Sequence, residues 1–270
     1  MARGGGPSVF ERPRTQVEER RFVSIDLKGR LGDLSTLVVP STLTALEHLR
    51  LRDNHLRALD LSRPPPRLST VDARRNQLRE VRLDGAFGLE VLDLRDNGLC
   101  TLDVSPLLVV EELRLSGNPL SRLIATDLLV RRHPGLARAA GVVTRPATAH
   151  ELHFASDRHN WDDGHRLLRW VTKQPQCDPA TALMIYFRAQ PAWFYGLRKP
   201  DPDEAKTVRW LRSIEQRMTS ARFGPATIPY DPAKDVGREA VTDRRVPSFM
   251  NLRARPAKGT PPYPFPRVAG

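Results

Sequence analysis

The 270-residue sequence has little of what marks a secreted, disulfide-stabilised or membrane-spanning protein. Its two cysteines, Cys100 and Cys177, cannot build a disulfide framework and lack the paired spacing of zinc ligands. No uncharged apolar run reaches the roughly eighteen residues of a membrane span, and residues 1–14 carry charge and glycine where a secretory signal is apolar. We therefore expect a cytoplasmic protein with free thiols.

Lysine is also scarce, since 37 of the 43 basic residues are arginine. The net charge of +12 is spread along the chain: residues 1–150 have 23 basic and 18 acidic side chains, and residues 151–270 have 20 and 13. This dispersion does not favour a dedicated nucleic-acid surface, which needs a concentrated basic patch. Nucleic-acid association through a basic C-terminal tail is therefore kept only as an alternative.

A repeated pattern occupies residues 46–123. Five apolar residues and one asparagine recur in four successive segments: Leu46, Leu49, Leu51, Asn54, Leu56, Leu59; Leu68, Val71, Ala73, Asn76, Leu78, Val81; Leu89, Leu92, Leu94, Asn97, Leu99, Leu102; Val110, Leu113, Leu115, Asn118, Leu120, Leu123. The asparagines are 22, 21 and 21 residues apart. A repeat of this length predicts a solenoid, in which stacked coils bury the apolar faces that a single coil leaves open.

The repeat L-x-x-L-x-L-x-x-N-x-L resembles the leucine-rich repeat family. The elements Leu59-Asp60-Leu61-Ser62 and Leu102-Asp103-Val104-Ser105 are similar to bacterial variants of that family. The resemblance implies an α/β leucine-rich-repeat solenoid with a short parallel sheet on its concave face. Each asparagine is expected to satisfy backbone groups where the coil turns.

Two flanking segments predict the ends of the solenoid, which we place at residues 21–145 after a flexible N-terminus of residues 1–20. Residues 22–27, with Leu31, Leu34 and Leu37, look like a degenerate first coil. Residues 128–136 look like a helical closing cap.

Outward-pointing residues between the leucines are the candidate binding residues. They form three columns: Arg52, Arg74, Arg95 and Ser116; Arg50, Asp72, Asp93 and Arg114; His48, Thr70, Val91 and Glu112. Adjacent strands lie about 5 Å apart, so three stacked arginines repel unless carboxylates neutralise them. Either Asp72 and Asp93 do so within the molecule, or an acidic partner does, and both alternatives stay open.

The sequence thus predicts a non-enzymatic module that binds another protein with an acidic surface, with neutralisation of a bacterial toxin or effector as one setting. The predicted partner-binding residues are Arg50, Arg52, Asp72, Arg74, Asp93, Arg95, Glu112 and Arg114.

After residue 146 the periodicity becomes helical. Leu167, Leu168, Trp170 and Val171 mark one helix, with Asp162 and Asp163 upstream as expected N-terminal caps and Pro175 at its end. A second helix is expected to begin with Asp178 as its N-cap and Pro179 in its first turn. An amphipathic third helix is predicted from about Asp203 to Arg222. We expect Trp161 in the core.

These residues carry a second resemblance. Asn160-Trp161-Asp162-Asp163-Gly164, Pro175-Gln176-Cys177-Asp178 and Thr181-Ala182-Leu183 are similar to the signature of a bacterial family known as domain of unknown function 4274, with residues 228–232 and 246–247 similar to its C-terminal stretch. The resemblance implies a small helical domain at residues 148–252 without an established activity. It marks Asn160, Trp161, Asp162, Asp163, Gly164, Cys177 and Asp178 as signature residues of unknown role.

The main alternative function is a thiol-dependent enzyme, ligase-like or hydrolase-like, with Cys177 as its nucleophile. A buried core cysteine is the other interpretation. His150, His153, His159 and His165 lack the converging pairs of a zinc site, so no metal and no cofactor are expected.

The end of the chain is rich in proline, with nine prolines between Pro225 and Gly270. It predicts irregular chain, part of it docked on the helical domain through Ile228, Tyr230, Val246 and Phe249. Residues 253–270 are expected to form a Pro-rich basic tail.

Overall fold

The structure is a computed structural model that describes residues 23–138, 141–251, 253–256, 258–260 and 264–265. The chain folds as two compact units, residues 1–146 and residues 147–270. The expected flexible N-terminus and much of the expected tail lie outside the described residues. None of the helices in the described ranges is both long enough and apolar enough to cross a membrane.

The first unit is a parallel β-solenoid of about six coils. Its strands, within the described residues, are β1 (Ser24–Asp26), β2 (Thr36–Val38), β3 (His48–Arg50), β4 (Ala58–Asp60), β5 (Thr70–Asp72), β6 (Glu80–Arg82), β7 (Val91–Asp93), β8 (Thr101–Asp103), β9 (Glu112–Arg114), β10 (Arg122–Thr126) and β11 (Val142–Arg145). Strands β1, β3, β5, β7 and β9 pair in that order in a five-stranded parallel sheet. The degenerate first coil predicted before the regular repeats is present as β1 and β2.

A second row of strands, which the sequence did not predict, runs along the solenoid. It consists of two three-stranded parallel sheets, β2-β4-β6 and β8-β10-β11. The elements Leu59-Asp60-Leu61 and Leu102-Asp103-Val104 thus contain strands. The expected helical cap is present as α1 (Asp127–Arg132) and a 3₁₀ helix at Pro134–Arg138, and β11 then pairs with β10.

Burial of alternate residues explains the strands. In β3, β5 and β7 the middle residue, Leu49, Val71 or Leu92, is fully buried while the first residue of each strand faces outward. A single core cluster runs along the solenoid from Leu31 to Leu129. Stacking is therefore what closes the core, as the repeat length predicts.

The repeat asparagines form a ladder of hydrogen bonds between coils. Asn76 accepts a hydrogen bond from the Leu56 amide at 3.2 Å and donates to the carbonyls of Leu51 and Ala73 at 2.9 and 3.0 Å. Asn54, Asn97 and Asn118 make the same set of contacts one coil before or after. The predicted role of the asparagines is confirmed.

The residue before each asparagine has a left-handed backbone. Its φ is +58° at Asp53, +52° at Arg75, +56° at Asp96 and +74° at Gly117. Its amide donates to the next coil, as from Arg75 to the Arg95 carbonyl at 3.0 Å. Of these four positions only Gly117 needs glycine, because a Cβ there would lie 2.3 Å from the Asp96 carboxylate.

The second unit is helical. Its helices, within the described residues, are α2 (Ala149–Asp157), α3 (Arg166–Val171), α4 (Pro179–Arg188), α5 (Pro191–Gly196), α6 (Pro202–Thr219), α7 (Pro232–Asp235) and α8 (Arg238–Thr242), with 3₁₀ helices at Trp161–Asp163 and Ser248–Asn251. Asp178 is the N-cap of α4 and Pro179 lies in its first turn, as predicted. The predicted amphipathic helix is α6, which ends three residues before the expected Arg222.

Three expectations for the helix boundaries and the docked chain end of this unit are wrong. Asp162 and Asp163 do not cap α3, because Gly164 with φ +74° turns the chain and His165 occupies the N-cap position without a side-chain cap. Helix α3 ends at Val171, before Pro175. Phe249 is 38% exposed and does not dock, because the 3₁₀ turn directs Met250, fully buried, into the core instead.

The chain after residue 225 is more regular than its proline content indicates. Helices α7 and α8 form there, and Ile228 and Val246 are buried as predicted. Tyr230 pairs with Ala254 in an antiparallel bridge, and Arg253 lies 3.0 Å from the Asp231 carboxylate. The start of the expected tail is thus attached to the helical unit.

Candidate functional site

The five-stranded sheet brings the predicted columns together. We call its outward side the sheet face, defined by the first and last residues of β1, β3, β5, β7 and β9 together with Arg52, Arg74, Arg95 and Ser116, which lie two residues after the last four of these strands. The register pairs Asp26 with Arg50, Arg50 with Asp72, Asp72 with Asp93 and Asp93 with Arg114. Two aspartates therefore lie side by side on neighbouring strands, an arrangement that is unfavourable unless cations neutralise them.

Arginines of this column and of the next one supply that neutralisation. Arg95 binds Asp93 through both nitrogens of its fork, with Nη2 2.7 Å from Oδ2, and Arg114 lies 3.5 Å from the same carboxylate. Arg74 lies 3.6 Å from Asp72. Burial disfavours the charged form of Asp93, whose side chain is 4% exposed, but the hydrogen bonds from Arg95 outweigh it and lower its pKa.

Carboxylates within the molecule neutralise the arginines of these two columns to different degrees. Arg74, Arg95 and Arg114 pair with Asp72, Asp93 and Glu112 within the molecule. Arg50, by contrast, has a side chain that is 54% exposed. Its carboxylate partner is Asp26, which is also exposed and lies 3.8 Å away. Arg52 has no ion pair within the described chain, and its Nε atom is buried without a hydrogen-bond partner.

In the helical unit, Asp178 is a completely buried carboxylate that ties distant segments together. One of its oxygens accepts from the Ala180 amide at 2.7 Å. The other accepts from the Thr227 amide at 2.6 Å, the Thr227 hydroxyl at 2.8 Å and the Ile228 amide at 3.2 Å. The role that the geometry gives this signature residue is the attachment of the downstream segment to α4.

The signature residues 160–164 lie at the surface. Asn160 caps the 3₁₀ helix by accepting from the Asp162 amide at 3.2 Å, and Asp162 and Asp163 are exposed. Trp161 is half-buried, so the expected core position is wrong: it opens a three-residue 3₁₀ helix whose other two residues are exposed. Its ring centroid lies 5.7 Å from that of His165.

Cys177 is fully buried at the start of α4. Burial raises the pKa of its thiol to about 12, and Asp178 adds to this effect. A nucleophilic cysteine needs the opposite, an accessible thiol with a lowered pKa. The geometry therefore matches the core-cysteine interpretation.

We expect iodoacetamide at pH 8 to label only Cys100, which is exposed, in the folded protein. A thiol with a pKa near 12 is ionised in only about one molecule in 10⁴ at that pH. Intact mass should show one adduct on the native protein in buffer and two in denaturant. A Cys100→Ser variant should show no adduct in buffer and one in denaturant. A second adduct on a protein that keeps its native circular dichroism would contradict the burial of Cys177.

A cleft of about 520 Å³ in the helical unit holds a further charged cluster that sequence reasoning missed. Arg188 binds Asp157 at 2.9 Å and Asp235 at 2.8 Å, and the Tyr230 hydroxyl donates to Asp235 at 2.8 Å. Since these charges are mutually paired, the cluster fastens α7 to α2 and α4. Sequence reasoning missed this cluster because Arg188 and Asp235 are 47 residues apart along the chain.

One of the histidines considered as metal ligands lies near carboxylates. His153 lies at the same cleft with Nδ1 3.0 Å from the Thr181 hydroxyl, and burial lowers its pKa to about 4. In the described part of the chain no three His, Cys, Asp or Glu side chains come together as metal ligands.

Together the two units define the class of protein, a parallel β-solenoid joined to a helical domain. Residues 147–219 match the family model described as domain of unknown function (DUF4274). No significant match is found among curated proteins or solved structures. The family match stops before residues 225–254, although Asp178, Arg188 and Tyr230 attach that segment to the same unit.

Proposed function

We propose that this chain is a bacterial, cytoplasmic leucine-rich-repeat protein that acts without catalysis, by binding a protein partner on its sheet face. The asparagine ladder and the stacked strands support the leucine-rich-repeat assignment. A solenoid presents a continuous row of outward side chains from successive coils, which suits it to bind an extended surface.

The observation that carries the proposal is the incomplete neutralisation of one end of the sheet face. Asp93 has two arginines, whereas Arg50 has one carboxylate at 3.8 Å in a solvent-exposed pair, and Arg52 has none among the described residues. We place the acidic group of the partner at Arg50 and Arg52. The rest of the sheet face then fixes the position of the partner through Glu112, Arg114 and the paired aspartates. Charge acts mainly on the rate of encounter and on specificity.

The test is affinity capture from the native cytosol, after nuclease digestion and at moderate salt, with the Arg50→Glu/Arg52→Glu variant. Placing carboxylates opposite those of the partner should abolish capture of a stoichiometric protein, a loss of at least about tenfold. The matched control is Arg57→Glu/Arg79→Glu, which makes the same charge change on exposed arginines away from the sheet face. The control should capture the partner as well as the native protein does.

Retention of the same protein by the Arg50→Glu/Arg52→Glu variant would overturn the proposal, as would equal loss in both variants. Capture that disappears only after nuclease digestion would instead favour the nucleic-acid alternative. Arg95 is left intact in this design, because Arg95→Glu would leave the buried Asp93 carboxylate beside a second negative charge and destabilise the coil itself.

A further inference from the structure

The cleft of about 520 Å³ belongs to the helical unit, whereas the sheet face belongs to the solenoid. Its size lies within the roughly 300–1,000 Å³ of small-molecule sites. Three parts of the chain form its wall: α2 and α4, the segment 228–235 that ends in α7, and residues 253–255. The charged side chains of this wall are Arg188, Lys234, Arg253 and Arg255 together with Asp157, Asp231 and Asp235.

Short contacts hold the second and third parts of the wall together. Tyr230 and Ala254 exchange two backbone hydrogen bonds, at 3.1 and 3.0 Å. Arg253, the residue before Ala254, lies 3.0 Å from the Asp231 carboxylate and fastens the two segments a second time. Arg255, the residue after Ala254, is therefore fixed to the segment that continues into α7.

The charges of the wall are unevenly distributed. Each carboxylate is bound by an arginine of the same wall: Asp157 and Asp235 by Arg188, and Asp231 by Arg253. The side chains of Lys234 and Arg255 are exposed and form neither an ion pair nor a hydrogen bond with any residue that the structure describes. His153, which also lines the cleft, adds no charge near pH 7 because burial lowers its pKa to about 4.

The surplus carboxylate and the surplus cations of the wall are thus at different places. The surplus carboxylate is at Arg188, which binds two aspartates, and the Tyr230 hydroxyl donates to one of these, Asp235, at 2.8 Å. The surplus cations are Lys234 and Arg255. These two side chains therefore favour an anionic occupant for the part of the cleft that they line.

We propose that this cleft binds a phosphate dianion, either free phosphate or the phosphoryl group of a small molecule, through Lys234 and Arg255. A phosphate monoester carries a charge of about −1.5 to −2 near pH 7 and so engages two cations more strongly than a carboxylate with a single charge does. Its three terminal oxygens also accept more hydrogen bonds. The guanidinium of Arg255 suits two of these oxygens as a fork, and the ammonium of Lys234 suits the group as a compact charge.

The test is isothermal titration calorimetry of the full-length protein at pH 7.5 and low salt with phenyl phosphate, phenyl sulfate and inorganic phosphate. Phenyl phosphate should bind saturably with a Kd below about 1 mM. Phenyl sulfate has the same shape but a single charge, so it should bind at least about fivefold more weakly. Tighter binding of phenyl phosphate than of inorganic phosphate would identify a phosphorylated molecule as the occupant, and equal binding would identify free phosphate.

A variant without the two surplus charges locates the site. Lys234→Gln/Arg255→Gln should weaken the binding of phenyl phosphate at least about tenfold, because both charged donors are removed. Its thermal unfolding temperature should equal that of the native protein, since both side chains are exposed. The matched control Arg198→Gln/Lys199→Gln makes the same charge change on exposed residues of the same unit that do not line the cleft, and it should bind phenyl phosphate as the native protein does.

Native affinity for phenyl phosphate in Lys234→Gln/Arg255→Gln would overturn the proposal. An equal loss in the control variant would do the same, because it would indicate attraction by the net charge of the chain and not by the cleft. Equal affinity for phenyl phosphate and phenyl sulfate would contradict recognition of a dianion. Absence of saturable binding up to about 10 mM phenyl phosphate would also overturn it, since a site with a Kd near 1 mM would then be mostly occupied.

Discussion

Replacement of Asp178 by alanine is expected to lower the unfolding free energy of the helical unit by about 3–5 kcal/mol. Asp178 is 0% exposed and accepts four hydrogen bonds, three of them from backbone amides. Alanine would leave the buried amides of Thr227 and Ile228 without a hydrogen-bond acceptor, or it would force the segment around them to detach. The expected result is therefore loss of both the α4 cap and the attachment of residues 225–230.

Tryptophan fluorescence can measure this loss without interference from the solenoid, because all four tryptophans, Trp161, Trp170, Trp193 and Trp210, belong to the helical unit. The urea midpoint of the fluorescence transition should fall in Asp178→Ala. Asp162→Ala, at an exposed carboxylate of the same signature, should change the free energy by less than about 0.5 kcal/mol. If Asp178→Ala changed the unfolding free energy by as little as Asp162→Ala, residues 225–230 would be held in place by other contacts.

The second large effect is expected from Asn76→Ala, which should cost the solenoid about 2–4 kcal/mol. The side chain is 8% exposed and serves the backbone of two coils, with the Leu56 amide on its oxygen and the Leu51 and Ala73 carbonyls on its nitrogen. Alanine satisfies none of these groups and leaves no room to relax, since the coils above and below are packed.

Far-ultraviolet circular dichroism should report this loss as an earlier solenoid transition, while the tryptophan transition of the helical unit stays in place. The control is Gln77→Ala, because Gln77 is the exposed neighbour of Asn76 and its side chain forms a hydrogen bond with the exposed His55 ring. An unchanged solenoid transition in Asn76→Ala would mean that the asparagine ladder does not hold the coils together.

What the sequence predicted well is what repeats. Four copies of the same spacing define which leucines point inward and give each asparagine its place at the turn, because every coil sees the same neighbours. The second row of strands escaped prediction since four of its six strands have only three residues, with at most one buried side chain in each. A pattern that short does not distinguish a strand from a turn.

Local sequence patterns did not predict contacts between residues that are far apart along the chain. The Asp178 contact with Thr227 spans 49 residues and joins a helix cap to a loop rich in proline. Similarly, the register made Asp72 and Asp93 neighbours, but only the three-dimensional structure showed which arginines neutralise them. Trp161 was misplaced in the core because an aromatic residue next to a predicted helix is usually buried, and its short 3₁₀ helix is not evident from sequence.

The spacing of the coils has a consequence for how this chain can change in length. The inward-pointing strand residues Leu49, Val71, Leu92 and Leu113 each precede their asparagine by five positions, and the inward-pointing residue of the next strand follows that asparagine by five. The return from Leu59 to Val71 takes 12 residues, whereas the return from Leu102 to Leu113 takes 11. Insertions and deletions are therefore tolerated only in the returning segments, because one residue gained elsewhere would reverse every side chain of the strand that follows it.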